Sequence, residues 1–269
     1  NRTYLPRMSE KRGTALITGG SVGIGFELAR LFAAAGYDLI LVARRQDRLD
    51  SAAILIEGKY RIKPVTIALD LTDPTAPQQL FDAVAALGTD IEFLVNNAGI
   101  GMGGAFSDTN IDRELQMIQL NIASLVHLTK LFMRPMIQRG HGRIMNVAST
   151  AAFQPGPLMS IYYASKAFVL SFSQAVDEEL RNTGVTLTCL CPGPVHTEFA
   201  ATAGLHETRL FTQASIAGGE VVAKYGYRAM MKGKRIAIPG PFNKIMVQVE
   251  RFLPRAFITR AARKVQENR

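Results

Sequence analysis

Short apolar segments of strand length alternate with amphipathic helical patterns along most of this chain. The segments are apolar at consecutive rather than alternating positions, which is typical of strands covered on both faces. Repeated strand–helix alternation predicts right-handed crossovers, and hence an α/β fold with one doubly wound, seven-stranded, mostly parallel sheet and helices on both faces. The predicted strands are Ala15–Thr18, Leu39–Ala43, Pro64–Leu69, Phe93–Val95, Ile144–Val147, Val185–Cys191 and Arg235–Ile238.

The helical patterns have no linker or low-complexity tract between them, so we predict a single domain over residues 1–269. Residues 1–12 are polar and basic, without the apolar core of a secretory signal, and are interpreted as flexible or as foreign to the native chain. No apolar run approaches the roughly 20 residues that cross a bilayer. The predicted helices are Ile24–Ala35, Gln46–Gly58, Ala76–Leu87, Ile111–Arg139, Ile161–Asn182 and Gly218–Lys232.

Only two cysteines occur, Cys189 and Cys191, two residues apart in a predicted strand. Their Cβ atoms would point in nearly the same direction, which is poor geometry for a mutual disulfide. The His, Cys and acidic residues also lack the spacing of a metal site, so no metal is predicted. We therefore interpret both cysteines as core thiols in a reducing compartment, and predict a cytoplasmic protein.

The positive charge of the chain is concentrated at its C-terminus. The net charge is +9, and residues 228–269 hold 11 basic residues against only Glu250 and Glu267. The remainder is neutral overall, which argues against nucleic-acid binding by the main body. The spacing of apolar and basic residues in 240–269 predicts a basic, amphipathic helical extension. Its apolar stripe either docks against its own domain or a second subunit, the interpretation we prefer, or lies peripherally on an anionic membrane.

A glycine-rich segment, Thr18–Gly25, follows the first predicted strand and leads directly into a helical pattern. Glycines allow a tight turn and a close approach of the backbone to a pyrophosphate, and a helix N-terminus offers unpaired N–H groups to phosphates. The strand–turn–helix context predicts a Rossmann-type dinucleotide site. The segment lacks a Gly-Lys-Ser/Thr ending, which disfavours a P-loop nucleotidase.

The second predicted strand ends about 20 residues beyond the glycines, where an NAD site carries an acidic residue for the adenosine ribose. This chain has Ala43 there, followed by Arg44 and Arg45. A guanidinium can bind a 2′-phosphate through two parallel hydrogen bonds, and no carboxylate would repel that phosphate. We therefore predict NADP(H) in preference to NAD(H).

Tyr162 and Lys166 stand four residues apart at the start of a predicted helix, so they share one face. The positive charge of Lys166 is expected to lower the pKa of the Tyr162 phenol, which could then transfer protons. Ser149, at the end of a predicted strand, could donate a hydrogen bond to a carbonyl oxygen. Tyr163 is interpreted as pocket wall or core.

Taken together, these residues resemble the short-chain dehydrogenase/reductase family. The resemblance extends from about Gly13 to Pro239 and rests on motifs that occur in the family's order. The motifs are Thr18–Gly25, Asp70, Asn96–Gly99, Asn121, Ser149, Tyr162 with Lys166, and Pro192-Gly193 with Thr197.

The resemblance implies a catalytic tetrad of Asn121, Ser149, Tyr162 and Lys166. Tyr162 would exchange the proton, Ser149 would polarise the carbonyl, Lys166 would bind the nicotinamide ribose, and Asn121 would hold a water molecule. Val22 stands where NADP-preferring members often carry a basic residue, which leaves the 2′-phosphate to the two arginines. The predicted cofactor-binding residues are Gly19, Ser21, Gly23, Ile24, Gly25, Arg44, Arg45, Asp70, Leu71, Asn97, Ala98, Gly99, Tyr162, Lys166, Val195 and Thr197.

The segments expected to border the substrate carry mostly apolar large residues, among which we predict Met102, Phe153, Met159 and Phe199 as contacts. The expected activity is NADP(H)-dependent interconversion of a hydrophobic ketone or aldehyde and its alcohol, by a homodimer or homotetramer. The alternative is a catalytically idle NADP(H)-binding sensor or assembly protein with the same fold. Retention of Ser149, Tyr162 and Lys166 together argues for the enzyme.

Overall fold

A seven-stranded sheet forms the centre of the computed structural model, which describes residues 13–196 and 217–267. The strands are β1 (Thr14–Thr18), β2 (Asp38–Ala43), β3 (Val65–Ala68), β4 (Ile91–Asn96), β5 (Gly142–Val147), β6 (Val185–Leu190) and β9 (Ile236–Ala237), with β7 (Val195–His196) and β8 (Ala217–Gly218) paired separately. The strand order in the sheet is β3-β2-β1-β4-β5-β6-β9, and every neighbouring pair is parallel. This confirms the predicted α/β architecture.

The helices follow the predicted segments closely, with one difference. The region 111–139, predicted as one helix, is two helices joined by a π-helical turn at Gln119–Ser124. The helices are α1 (Gly23–Ala34), α2 (Gln46–Tyr60), α3 (Ala76–Ala86), α4 (Ile111–Ile118), α5 (Leu125–Arg139), α6 (Ser160–Glu179), α7 (Gly219–Met231), α8 (Pro241–Val249) and α9 (Arg255–Gln266), with 3-10 turns at Thr150–Phe153 and Glu250–Phe252.

Apolar side chains fill both sides of the sheet, as the consecutive apolar runs require. Phe32 of α1 packs against Phe93 of β4 on one side, with ring centroids 5.1 Å apart. On the other side Phe132 of α5 and Leu80 of α3 belong to a second buried cluster. Because adjacent residues of a strand face opposite sides, both clusters draw on the same strands.

Cys189 and Cys191 are both buried and free, with their sulfur atoms 3.7 Å apart. The two thiols lie side by side, as expected for residues two apart in a strand. Both lie near Lys166, and the pKa of the Cys191 thiol is raised by its hydrogen bond with Cys189 and by burial.

The C-terminal helices differ in how they contact the rest of the protein. On α9, Ile258, Ala262 and Gln266 are buried, and Gln266 Nε2 donates a hydrogen bond to the Tyr163 hydroxyl at 2.5 Å. On α8 only Val247 is buried, and the predicted apolar stripe faces solvent. Docking against the same chain thus accounts for one face of α9, whereas the described residues leave the stripe of α8 uncovered.

Within the described ranges, no helix has the length and apolar character needed to cross a membrane.

Candidate active site

Side-chain hydrogen bonds connect the glycine-rich turn after β1 to the end of the neighbouring strand β4. Thr18 Oγ1 accepts hydrogen bonds from the backbone N–H groups of Asn97 and Ala98, both at 3.0 Å. In return, Asn97 Nδ2 donates to the carbonyl oxygens of Thr18 and Gly19 at 3.0 and 3.1 Å. Because β1 and β4 are adjacent central strands, these bonds fix the turn at the carboxyl edge of the sheet.

The glycines of this turn act in different ways. Gly19 and Gly23 adopt φ values of +64° and +57°, which side chains rarely allow. Gly25, also predicted as a cofactor contact, is not among the residues that line the cleft. A Cβ at Gly25 would lie 2.2 Å from the Gly19 carbonyl oxygen, so this glycine allows α1 to pack closely behind the turn.

The N-terminus of α1 has the features of an anion site. Its N-cap residue, Val22, makes no side-chain cap hydrogen bond, and the first turn contains no acidic residue. The N–H groups of the first helical turn have no partner within an α-helix, and the positive end of the helix dipole lies at the same place. The backbone at this point is therefore suited to bind a phosphate or pyrophosphate.

Three arginines line the same cleft beyond the end of β2: Arg44, Arg45 and Arg48. Arg45 forms an ion pair with Asp47 at 2.6 Å, and its hydrogen bond lowers the pKa of that carboxyl group. Arg48 of α2 was missed by the sequence prediction, although it comes only four residues after Arg44. Ala43 also lines the cleft at the position where an NAD site carries its acidic residue.

The cleft has a volume of about 710 Å³ and runs along the carboxyl ends of the parallel strands. This is where ligands bind in open α/β sheets. Polar residues that sequence analysis missed also line it: Arg113, Gln116 and Gln154. Of the predicted site residues, those on its wall are Gly19, Ser21, Gly23, Ile24, Arg44, Arg45, Asp70, Leu71, Asn97, Ala98, Gly99, Ser149, Met159, Tyr162, Lys166 and Val195.

Ser149 and Tyr162 come together in this cleft from different elements. Ser149 follows β5, where its Oγ accepts a hydrogen bond from the Ala151 N–H at 3.1 Å. Tyr162 lies in the first turn of α6 and hydrogen-bonds with the Ser149 hydroxyl. This bond lowers the pKa of the phenol, but burial outweighs it and raises the pKa of Tyr162 to about 12.

Lys166 is buried beneath the phenol, and its environment differs from the sequence expectation. Its Nζ donates a hydrogen bond to the Val147 carbonyl oxygen at 2.9 Å and lies 5.8 Å from the centre of the Tyr162 ring. Burial lowers the pKa of Lys166 to about 8. In the protein alone, burial therefore outweighs the lowering of the Tyr162 pKa that the spacing of Tyr162 and Lys166 leads one to expect.

Asn121 lies in the π-helical turn, behind the cleft rather than on its wall. Its Nδ2 donates to the Ile100 carbonyl oxygen at 2.9 Å and to Ser165 Oγ at 3.1 Å, and its Oδ1 accepts from the Ile100 N–H at 3.0 Å. A Cβ at Gly99 would lie 3.2 Å from Asn121 Oδ1 and 3.4 Å from Lys166 Nζ. Asn121 thus joins the loop after β4 to α6, immediately beside the buried amine.

The predicted substrate contacts are only partly brought together. Met159 lines the cleft and is buried. Phe153 packs instead against the core around Leu125 and Val169, and Met102 borders a separate small cavity with Leu158, so neither lines the cleft. Phe199 and the predicted cofactor contact Thr197 lie outside the described residues.

The residues of this cleft fit a dinucleotide phosphate. The diphosphate is suited by the glycines with positive φ and by the N-terminus of α1, which has no side-chain cap. An additional phosphate is suited by the nearby arginines. Among the described residues, no acidic side chain lies at the end of β2 itself. The doubly wound sheet and this cleft at its carboxyl edge define a dinucleotide-binding α/β protein.

Comparison with known proteins identifies the family. The family model for short chain dehydrogenases matches residues 13–208. The chain therefore belongs to the short-chain dehydrogenase/reductase family, whose members are oxidoreductases that act on CH–OH or C=O groups with NAD(P)(H). This confirms the resemblance drawn from the motifs.

Individual relatives agree with this assignment. The very-long-chain 3-oxoacyl-CoA reductase of Bos taurus is 35% identical over 192 residues, which cover 69% of this chain and 60% of that protein. The chain thus spans less than two thirds of the length of that reductase. A short-chain dehydrogenase from Sphingobium yanoikuyae in complex with NADPH has a TM-score of 0.78 at 28% identity, covering 91% of this chain and 98% of that one. The bulky-bulky ketone specific alcohol dehydrogenase from Comamonas testosteroni has a TM-score of 0.77 at 27% identity, covering 90% and 93%.

Proposed function

We propose that this protein is an NADP(H)-dependent carbonyl reductase that acts on a hydrophobic ketone or aldehyde. The observation that carries the proposal is the hydrogen bond between Ser149 and Tyr162, located in the same cleft as the glycine turn and Arg44. A hydroxyl pair there would hold a carbonyl oxygen close to a bound dinucleotide. Neither an assembly protein nor a sensor requires such a pair.

In this proposal each side chain has a separate task. The nicotinamide cofactor would supply the hydride, as is usual for such reductions. Ser149 donates a hydrogen bond to the substrate carbonyl oxygen, and Tyr162 donates its phenolic proton to the same oxygen as negative charge develops there. Because burial keeps the pKa of Tyr162 near 12, the phenol is protonated at neutral pH and ready to donate.

Lys166 and Asn121 support this proton donor. Below pH 8 the Lys166 amine is mostly charged, and a buried positive charge beneath the ring stabilises the phenolate left after proton transfer. Asn121 holds the loop after β4 against α6, so it fixes the distance between Gly99 and Lys166. Asn121 is in this sense a positioning residue.

An apolar substrate is supported by the apolar part of the cleft wall. Met159, Tyr163, Ile100 and Val195 border the cleft near Tyr162, and Met159 is nearly inaccessible to solvent. Apolar walls with a few directed polar groups are the usual composition of a small-molecule site. The names of the relatives add 3-oxoacyl thioesters and bulky ketones to the candidates for testing.

The test is NADPH oxidation, followed by absorbance, with a panel of hydrophobic ketones, aldehydes and 3-oxoacyl thioesters. Tyr162→Phe should lower turnover by about 10²- to 10⁴-fold, the usual contribution of general acid catalysis, without loss of NADPH binding. Tyr163→Phe is the matched control, since Tyr163 is the adjacent tyrosine and its hydroxyl is hydrogen-bonded to Gln266. NADPH binding without turnover of any compound would instead support the sensor.

We also propose that the chain forms a homodimer or homotetramer. Leu115 and Ile118 of α4 and Phe168 of α6 are exposed apolar side chains on neighbouring helices. Burial of such residues between subunits would remove them from water. Light scattering should give the mass of two or four chains, and a monomer at micromolar concentration would contradict this proposal.

A further inference from the structure

The C-terminal segment 241–264 presents an apolar surface that the rest of the described chain leaves uncovered. On α8, Phe242 is 71% exposed and Ile245 is 61% exposed, and Phe252 in the following 3-10 turn is 86% exposed. These residues lie at helical spacing with Val249, which is also exposed, so they form one stripe. We call these four residues the apolar stripe. Val247, the buried residue of α8, lies on the opposite side and holds the helix against the protein.

The stripe leads directly into a basic helix. On α9 the buried residues Ile258, Ala262 and Gln266 recur every four positions and define the face turned toward the protein. Arg260 and Lys264 lie about half a helical turn away from them and are exposed. The outer face of α9 is therefore cationic, and only two residues separate α9 from the 3-10 turn that carries Phe252.

The charges of this segment select one kind of partner. Within 241–267 there are six Lys and Arg residues and two acidic residues, of which Glu267 is paired with Arg263 and Glu250 is half-buried. A second copy of the chain docked stripe to stripe would bring two surfaces of the same charge together, which opposes association. An anionic surface that is apolar beneath its charges has no such penalty and satisfies both features.

We propose that α8, the 3-10 turn at Glu250–Phe252 and α9 bind peripherally to an anionic lipid bilayer. The apolar stripe enters the boundary between headgroups and acyl chains, and the outer face of α9 contacts anionic headgroups. The opposite sides of both helices remain on the protein through Val247, Ile258 and Ala262. The carbonyl-reductase proposal is independent of this one, because the surface does not include Ser149, Tyr162 or Lys166.

The experiment is co-sedimentation of the full chain with vesicles of phosphatidylcholine alone or mixed with phosphatidylglycerol. The protein should bind the mixed vesicles at low salt, bind neutral vesicles at least ten times more weakly, and dissociate as salt screens the charges. The variant Arg260→Gln/Lys264→Gln should weaken binding about 25-fold, since each basic residue near an anionic surface is worth about fivefold in affinity. Phe242→Ser/Ile245→Ser/Phe252→Ser should weaken it at least tenfold.

Two controls distinguish binding through this segment from nonspecific hydrophobic adsorption to vesicles. Ile54→Ser/Leu55→Ser changes two exposed apolar residues on α2, which are 69% and 63% exposed, and should leave vesicle binding within twofold. Circular dichroism and NADPH binding should show that every variant is folded. Absence of binding to anionic vesicles at low salt would overturn the proposal, as would equal binding to neutral vesicles. A smaller oligomer on light scattering of the triple Ser variant would show instead that the stripe is a subunit interface.

Discussion

The close packing behind the glycine turn can be tested by adding one methyl group at Gly25. In Gly25→Ala, the new Cβ would lie 2.2 Å from the Gly19 carbonyl oxygen and 2.5 Å from Asn97 Nδ2. Both neighbours are fixed, because Asn97 Nδ2 itself donates to the Thr18 and Gly19 carbonyl oxygens. The turn or α1 must therefore move, so the change acts on the phosphate cradle as well as on packing.

The magnitude follows from two opposing effects. Replacing a helical glycine by alanine stabilises a helix by about 1 kcal/mol, whereas forcing an extra carbon into a packed site commonly costs about 1–3 kcal/mol or more. Since the contact is with backbone, we expect the clash to dominate. Gly25→Ala should lose about 1–2 kcal/mol of unfolding free energy, and it should weaken NADPH binding at least tenfold because the helix N-terminus shifts.

The matched control is Gly58→Ala in α2, where nothing lies within 4 Å of the new Cβ. The same chemical change there should stabilise the protein by about 0.5–1 kcal/mol and leave NADPH binding unchanged. Urea unfolding measures the stabilities and cofactor fluorescence measures the affinity. If Gly25→Ala proved as stable as the wild type and bound NADPH equally well, the close approach of α1 to the turn would be refuted.

Three further predictions address the arginines, the buried amine and the C-terminal helix. Arg44→Asp should weaken NADPH binding at least tenfold and leave NADH binding nearly unchanged, measured by fluorescence titration; equal losses for both would contradict a role at the 2′-phosphate. Burial lowers the pKa of Lys166 from 10.5 to about 8, so between these pH values the unfolded chain binds more protons than the folded protein. The unfolding free energy of the wild type should therefore rise with pH relative to that of Lys166→Met. Urea unfolding at pH 7, 8, 9 and 10 would check this. Gln266→Leu removes the hydrogen bond to the Tyr163 hydroxyl and should cost about 1–3 kcal/mol of unfolding free energy, whereas Gln248→Leu on the exposed side of α8 should cost little.

The main architecture is readable from the sequence because it depends on local patterns. The consecutive apolar runs in β1, β2, β4, β5 and β6 are typical of strands buried on both faces, and the glycines directly after the first run indicate a tight turn into a helix. Helix positions follow equally well from periodicity. The sheet order is less accessible, since it depends on which strands pair across long stretches of chain.

The π-helical turn at Gln119–Ser124 could not be read from the sequence. One extra residue in a helical turn hardly changes the apolar periodicity of residues 111–139, so the pattern remains that of a continuous helix. Its consequence is local: Asn121 turns toward Ile100 and Ser165. The identity of Asn121 as a site residue was available from the motif order, but its partners depend on that turn.

The C-terminal segment shows what the periodicity of a sequence leaves open about a helix. The spacing of Phe242, Ile245 and Val249 correctly predicts an amphipathic helix, but periodicity identifies an apolar face without saying what covers it. In α9 the covered face includes Gln266, a polar residue whose Nε2 donates a hydrogen bond to the Tyr163 hydroxyl. In α8 the apolar face is the exposed one, which is unusual for a helix whose only purpose is packing.

The pKa values of Tyr162 and Lys166 determine whether each of the two side chains carries a proton at neutral pH. Spacing alone indicates that an amine stands near a phenol, but the direction of each pKa shift depends on burial, which spacing does not report. Here burial raises the pKa of Tyr162 to about 12 and lowers that of Lys166 to about 8, so the phenol keeps its proton and Lys166 carries its charge only below about pH 8. A protonated donor above a nearby cation favours proton transfer to a carbonyl oxygen, and we therefore expect the reductive direction to be faster at neutral pH, with oxidation gaining as the pH rises.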